Sequence, residues 1–405
     1  MKMDSQHTLL QLLAESQKHN VACICVSNGF DDPYGRYDYL AGFGEKLAFY
    51  SPEAITQSGS LKMGFCSYDF KNTLENLTSI HPQAVMVPDF YFFEPEYIYK
   101  SARNVDSPET NFILPDAILY EQNGVAGAFF CRTSKGEYLE NVQQIKECIK
   151  NGDFYEMNYC LQFECDNCLN PYALFAELNR TAPAPFATFF KYNDKFLLCS
   201  SPERFLAKNA DCLIAQPIKG TRKRHLDTQV DIGIKESLAG STKDRAENIM
   251  IVDLLRNDLS RVCLPGSVNV PELCKVYSFS HVHQMISTVT GELRAKTKFA
   301  DILKASFPMG SMTGAPKIQV MNDIEHFENF SRGWYSGSVG YWENDDFDLN
   351  VVIRSLQLDT AAQKMYYHVG GAITFDSIPE EEYNECLQKA SGLMQALKNQ
   401  EASNL

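Results

Sequence analysis

Four short apolar runs stand in close succession at residues 186–192 (FATFFKY), 195–199 (KFLLC), 204–208 (RFLAK) and 212–216 (CLIAQ), broken only by Asn193-Asp194, Ser200-Ser201-Pro202-Glu203 and Asn209-Ala210-Asp211. Runs this short, joined by tight polar turns, pair antiparallel; parallel pairing needs a crossover of a dozen residues. Similar runs recur at 268–271, 284–293, 337–342, 349–358 and 364–369, and before them at 21–27, 61–68 and 89–99. Helical spacing appears around them. Residues 9–16 form an amphipathic segment; Val142, Ile145 and Ile149 share a helix face that Gly152 ends; Pro171 opens a helix bearing Leu174, Phe175 and Leu178. At the chain end, 379–400 reads as one helix with Tyr383, Leu387, Ala390, Met394 and Leu397 on its buried face. Antiparallel strands packed on several helices predict an α+β fold. Residues 1–130 read as a mixed region packed into the same body, and 138–396 as the part that carries chemistry.

Composition bounds the function. The 405 residues are 44% hydrophobic and 22% charged, an ordinary globular balance, with 37 basic against 51 acidic side chains and a net charge of −14. That charge opposes non-specific nucleic-acid binding, which relies on Lys and Arg at phosphates. No run approaches a membrane span and the first residues lack a signal-peptide pattern, so the expected location is the cytoplasm. The thirteen cysteines are scattered and odd in number, as small core residues are. Cys165-Asp166-Asn167-Cys168 is the one C-x-x-C, without a second pair to complete a zinc site. His281 and His283 share a strand face and read as structural.

Three segments concentrate reactive groups. Asp244 and Glu247 lie three apart near a helix start, and Glu382, Glu385 and Lys389 repeat at helical spacing near the chain end. The plain reading is solvated faces; the sharper one is two carboxylate pairs meeting across a cleft to hold Mg²⁺. Pro217-Ile218-Lys219-Gly220-Thr221-Arg222-Lys223-Arg224 is a cationic turn in an acidic protein, and Arg222, Lys223 and Arg224 are expected to depress the pKa of Lys219. Gly310-Ser311-Met312-Thr313-Gly314-Ala315-Pro316-Lys317 lacks the Gly-Lys of a phosphate loop but offers backbone N–H groups to an anion, and Gly370-Gly371 gives close backbone approach. There is no G-x-S-x-G elbow, no amidotransferase cysteine and no dinucleotide fingerprint.

These segments, with Ser201-Pro202-Glu203-Arg204-Phe205, Arg332-Gly333-Trp334-Tyr335-Ser336-Gly337 and Val352-Ile353-Arg354-Ser355, resemble in content and order the chorismate-utilising enzymes. The resemblance implies a layered α/β/β/α sandwich of two antiparallel sheets with outer helices. It implies Mg²⁺ on Glu247 and Glu385, supported by Asp244 and Glu382. Substrate contacts would come from Arg354 and Tyr335 at the enolpyruvyl carboxylate, with Thr221, Thr313, Gly370, Gly371 and Lys389. Members reading Pro-Ile-Lys-Gly-Thr, as here around Lys219, make 4-amino-4-deoxychorismate, the precursor of p-aminobenzoate and folate; those with alanine at that position make anthranilate. The implied catalytic pair is Lys219, a covalent nucleophile, and Glu203, a general acid and then base. The implied partners are chorismate, ammonia and a separate glutamine amidotransferase subunit. An anthranilate-forming enzyme and a silent chorismate-binding regulatory subunit are the alternatives.

Three departures stand out. Glu156 occupies the place where water-using members carry lysine and ammonia-using members usually carry glutamine. Gln284 follows His283 where anthranilate-forming members have histidine directly before the strand. Cys23-Ile24-Cys25-Val26-Ser27 replaces the Leu-Leu-Glu-Ser element of tryptophan feedback, which removes the basis for expecting tryptophan control.

Overall fold

A computed structural model of the chain describes residues 5–55, 59–105, 107–118, 127–279 and 282–402; His281 lies outside them. The nineteen strands among the described residues form one hydrogen-bonded network in which every strand pairing is antiparallel. One layer runs from Glu156–Cys165 through Lys364–Ile373, Ser355–Asp359, Lys195–Ser201, Phe186–Tyr192 and Val21–Val26 to Tyr37–Phe49 and Phe90–Ala102. Phe90–Ala102 also pairs with Lys62–Cys66, which starts the second layer: Ser338–Glu343, Asp346–Asn350, Arg204–Asn209, Cys212–Gln216, Val282–Glu292 and Asn269–Ser278.

Period-2 alternation sorts side chains into three apolar layers. Along Phe90–Ala102, Tyr91 and Phe93 point between the sheets, while Phe90 and Phe92 face the helices outside the second sheet. Along Lys195–Ser201, Leu197 and Cys199 point inward and Phe196 and Leu198 face the outer helices of the first sheet. Helices Lys135–Asn151, Pro171–Thr181 and Ser391–Ala402 cover that first sheet; Thr242–Ser260 and Phe299–Ser306 cover the second. The predicted α/β/β/α sandwich is the observed architecture. Val21–Val26 pairs with Phe186–Tyr192, and Lys62–Cys66 with Ser338–Glu343, so early and late segments share sheets.

Two predicted elements are each two. The run 349–358 splits into Asp346–Asn350 on the second sheet and Ser355–Asp359 on the first, because the chain crosses between layers at 351–354, where Arg354 takes a positive φ of 51°. The terminal helix breaks at Ala390 into Pro379–Lys389 and Ser391–Ala402. Its expected apolar face is displaced too: Leu387 is 40% exposed, while Glu382 and Cys386 are buried. The long strand Tyr37–Phe49 escaped sequence reading because glycine and charged residues interrupt its apolar pattern. All thirteen cysteines are free thiols, and no described helix is long and apolar enough to cross a membrane.

Candidate active site

The chain crosses between the sheets at two adjacent points, and each crossing delivers a reactive side chain. The first, between Lys195–Ser201 and Arg204–Asn209, carries Glu203; the second carries Arg354. They are laced together: Val351 N donates to Glu203 O (3.0 Å), Ser200 N to Arg354 O (3.1 Å) and Ser201 Oγ to Val351 O (2.6 Å). The crossings thus fix the backbone beneath both groups.

Glu203 is buried, and Ser311 Oγ donates to its Oε1 at 2.9 Å. Burial pushes its pKa up to about 7, against the pull of Ser311 and of the Lys219 charge. A carboxyl that gains and loses its proton near neutrality suits general acid–base work. The neighbouring arginines do not pair with it. Arg204 turns away to Asp32 (2.6 Å) and Asp348 (2.8 Å), and Arg222 to Asp244 (2.7 Å).

Lys219 lies on Ile218–Lys223, where Gly220 (φ 77°) shifts the register against Val282–Glu292. A Cβ at Gly220 would stand 2.7 Å from Asp244 Oδ1 and force that side chain to shift, and the positive φ itself favours glycine there. The Lys219 side chain is 11% exposed and its Nζ lies 3.0 Å from Glu156 Oε1. Carboxylates at Glu156, Glu247 and Glu203 outweigh burial and hold the amine well above the ordinary lysine range. The expectation that Arg222, Lys223 and Arg224 depress it is not met: Arg222 is spent on Asp244, Arg224 on Asp231, and Lys223 is exposed.

The predicted metal residues separate into two kinds. Glu247, Glu382 and Glu385 all act on the charge of Lys243, whose Nζ donates to Glu382 Oε1 at 3.2 Å. Burial next to Glu156 and Glu382 raises the pKa of Glu247. Glu385 pairs with Lys389 (2.9 Å), and the lysine charges around it lower its pKa against burial. Of the three carboxylates only Glu382 contacts that ammonium; Glu247 and Glu385 act on it at longer range. Asp244 is engaged by Arg222 and stands apart from this group. Among the described residues no three acidic, His or Cys side chains converge at metal-ligand spacing, so the expected metal residues do not form a ready-made Mg²⁺ site.

The residues expected at the substrate are placed as follows. Arg354 makes no side-chain hydrogen bond or ion pair among the described residues; burial lowers its pKa, partly offset by Tyr335 and Glu385. Tyr335 is buried and stacks on His368 at 5.1 Å. Gly370 packs against Cys160 and Tyr159 and its carbonyl accepts from Lys389 (2.8 Å), whereas a Cβ at Gly371 would meet only Glu382 and Lys389, at 3.5 and 3.7 Å. Thr221 sits at the outer end of the lysine strand beside Gln284 (3.5 Å). Thr313 is fully buried and its hydroxyl donates to Met309 O (3.1 Å), so it shapes the loop from within.

Strand alternation settles which of Gln284 and His283 faces this region. Gln284 reaches Thr221, whereas His283 points the other way, to Asp231 (3.0 Å) and Ser278 (2.9 Å). Sequence reading missed two participants, Ser311 on Glu203 and Lys243 among the carboxylates. Both lie inside motifs it quoted, but neither carries a spacing signal.

Residues 14–395 match the family model described as chorismate binding enzyme. A probable chloroplastic aminodeoxychorismate synthase of Oryza sativa subsp. japonica is 43% identical over 267 residues, 65% of this chain and 30% of that protein. Aminodeoxychorismate synthase component 1 of Salmonella typhimurium is 39% identical over 277 residues, 68% of this chain and 60% of that one. The matched segments therefore span less than two thirds of either relative. Anthranilate synthase component 1 of Saccharolobus solfataricus is 32% identical over 378 residues, covering 92% of this chain and 88% of the relative. The fold is that of MenF, the menaquinone-specific isochorismate synthase of Escherichia coli, with a TM-score of 0.80 at 16% identity over 98% of this chain and 92% of MenF. The chain belongs to the chorismate binding enzyme family.

Proposed function

We propose that this protein replaces the C4 hydroxyl of chorismate with an amine, giving 4-amino-4-deoxychorismate for p-aminobenzoate and folate synthesis. The observation that carries this reading is the pairing of Lys219, in contact with Glu156, with a buried Glu203 poised near neutrality. A nucleophile and an acid in one chamber allow one hard displacement to become two easier ones.

Arg354 offers a planar, unshared donor fork to a substrate carboxylate, with Tyr335 beside it. Bound by Glu247 and Glu385, Mg²⁺ would neutralise and template the ring carboxylate. Lys219 must lose a proton before it attacks C2, and Glu156 Oε1 is the acceptor in contact. Glu203 gives its proton to the departing C4 hydroxyl, which leaves as water. The same carboxylate then takes a proton from ammonia as its nitrogen adds at C4 and Lys219 is expelled from C2. The nitrogen source is a glutamine-hydrolysing partner, in keeping with the component 1 name of the Salmonella relative.

The similarity to an archaeal anthranilate synthase supports a second reading. Chorismate, Mg²⁺ and ammonium at alkaline pH separate the two. The amination product keeps its enolpyruvyl group, whereas anthranilate appears as blue fluorescence together with free pyruvate. Fluorescence and pyruvate in equal amounts would overturn the first reading.

A further inference from the structure

Three buried polar side chains lie side by side on neighbouring strands of the first sheet, and none of them takes part in the proposed reaction: Gln162, His368 and Gln357. His368 is the register partner of Gln162 on Glu156–Cys165, and Gln357 comes from the adjoining strand Ser355–Asp359. Polar groups are buried at a cost unless their hydrogen bonds are made. Here the bonds fix an imidazole. His368 Nε2 lies 3.2 Å from Gln162 Oε1, and Nδ1 lies 3.4 Å from Gln357 Nε2. A carbonyl oxygen accepts and an amide nitrogen donates, so Nε2 carries the proton and Nδ1 accepts. Burial and then the Arg332 charge push the pKa of His368 down to about 3, which keeps the ring neutral.

The ring so fixed is a platform. Tyr335 stacks on it with centroids 5.1 Å apart and planes 20° from parallel, and Phe330 lies 5.3 Å away. The amide that holds His368 also holds the turn carrying Tyr335. Gln357 Nε2 donates to Arg332 O (3.1 Å), and that carbonyl accepts from Tyr335 N (3.1 Å). Burial, with the Cys160 thiol near it, keeps the Tyr335 hydroxyl protonated and so a donor, and that hydroxyl acts on the Arg354 charge. Without a flat partner the tyrosine ring could tilt into the space left by the imidazole and carry its hydroxyl away from Arg354.

We propose that His368 is a positioning residue: its neutral ring sets the plane of Tyr335 and so aims the phenol O–H, beside Arg354, at the enolpyruvyl carboxylate of chorismate. The proposal rests on chorismate as the substrate of this site, and it holds whether the product is the amine or anthranilate. That carboxylate is unchanged in the C4 displacement, so a contact with it acts on binding and not on the chemical step.

Two double variants separate the ring from its hydrogen bonds: His368→Phe with Gln162→Leu, and His368→Leu with Gln162→Leu. Both lose the imidazole bonds and strand no carbonyl at position 162; only the first keeps a flat ring under Tyr335. Chorismate consumption at saturating ammonium, followed whatever the product, is expected to give the phenylalanine pair a KM within about twofold of wild type. In the leucine pair KM should rise about 10-fold with kcat within about twofold, the partial loss of a hydrogen bond to a charged group. Adding Tyr335→Phe to both pairs should erase the difference between them. Equal KM values in the two pairs, or a difference that survives Tyr335→Phe, would overturn the proposal. In the wild-type chain, imidazole ¹⁵N NMR should show His368 as the neutral Nε2–H form from about pH 5 to 9. A ring that titrates in that range would overturn the proposal without any variant. Anthranilate and pyruvate as products would sink the amination reading and leave the KM comparison standing.

Discussion

Two arginines of the interior, Arg332 fully buried and Arg354 half-buried, lie 22 positions apart and behave in opposite ways. Arg332 spends its guanidinium fully: it holds both oxygens of Glu328 (2.9 and 2.6 Å), the carbonyls of Met312 (2.7 Å) and Asn158 (2.9 Å), and Ser336 (3.1 Å). Its plane also sits 4.6 Å from the Tyr68 ring centre. It is a strut that ties the Gly310–Met312 turn to the Glu156–Cys165 strand. Arg354 has no such partner. A charge drawn partly out of water costs less when it is paired, so a fold that keeps the half-buried Arg354 unshared leaves it open to something outside itself. The same contrast separates Arg204, bonded to Asp32, Asp348 and Gln216, from Lys219, whose side chain makes one hydrogen bond. Arg332 and Arg204, with their bonds made, hold the sandwich; Arg354 and Lys219 keep donors to spare.

Substitutions can break that division. The largest expected effect falls on the least bonded nucleophile: Lys219→Ala should lower kcat by at least about 10⁴-fold, as deletion of covalent nucleophiles does elsewhere, and should also lower thermal stability, because the buried Glu156 loses the donor it contacts. Single-turnover product analysis checks it. Next, Arg332→Met should destabilise the fold by about 3–5 kcal/mol, because it strands Glu328 as a buried, unpaired charge; urea unfolding reads this. Arg354→Met should leave stability within about 1 kcal/mol, or improve it, because no partner is abandoned. The same change should raise the KM for chorismate by about 30- to 100-fold, the loss of a charge-assisted fork to a carboxylate. If both arginine variants unfold alike, the contrast is wrong.

The smallest effect is a pH dependence at Glu203. Its pKa is raised from 4.5 to about 7 in the folded state, so between those values the folded chain binds more protons than the unfolded one. Stability from this group is therefore full below pH 4.5 and is lost as pH rises through 7. Glu203→Gln should stabilise the chain by about 1–3 kcal/mol at pH 8 and leave it unchanged at pH 4, although it removes the acid that turnover needs. Melting curves at the two pH values show the sign.

Much of this was legible in the sequence. Short runs with tight turns gave antiparallel layers, and motif order pointed to Lys219, Glu203, Arg354 and the acidic helices. Local pattern failed where tertiary geometry decides. The apolar run 349–358 carries no mark of the crossing that Arg354 makes with a left-handed backbone. Glu382 reads as solvent-facing by spacing, yet it is buried against Ser377 and Lys243. The charge on Lys219 escapes local pattern for the same reason. Arg222 and Arg224 are neighbours in sequence, but their charge goes to Asp244 and Asp231, while Glu156 and Glu247 arrive from distant segments to hold the lysine proton.

The central claim is that the Lys219 amine, despite resting beside Glu156 as a cation, forms a bond to chorismate during turnover. Intact-protein mass spectrometry of the chain with chorismate and Mg²⁺, without ammonium, tests it most directly. The account predicts a covalent adduct that peptide mapping assigns to Lys219 and that ammonium discharges as aminated product. Full turnover with ammonium, and no adduct at any time point without it, would contradict it.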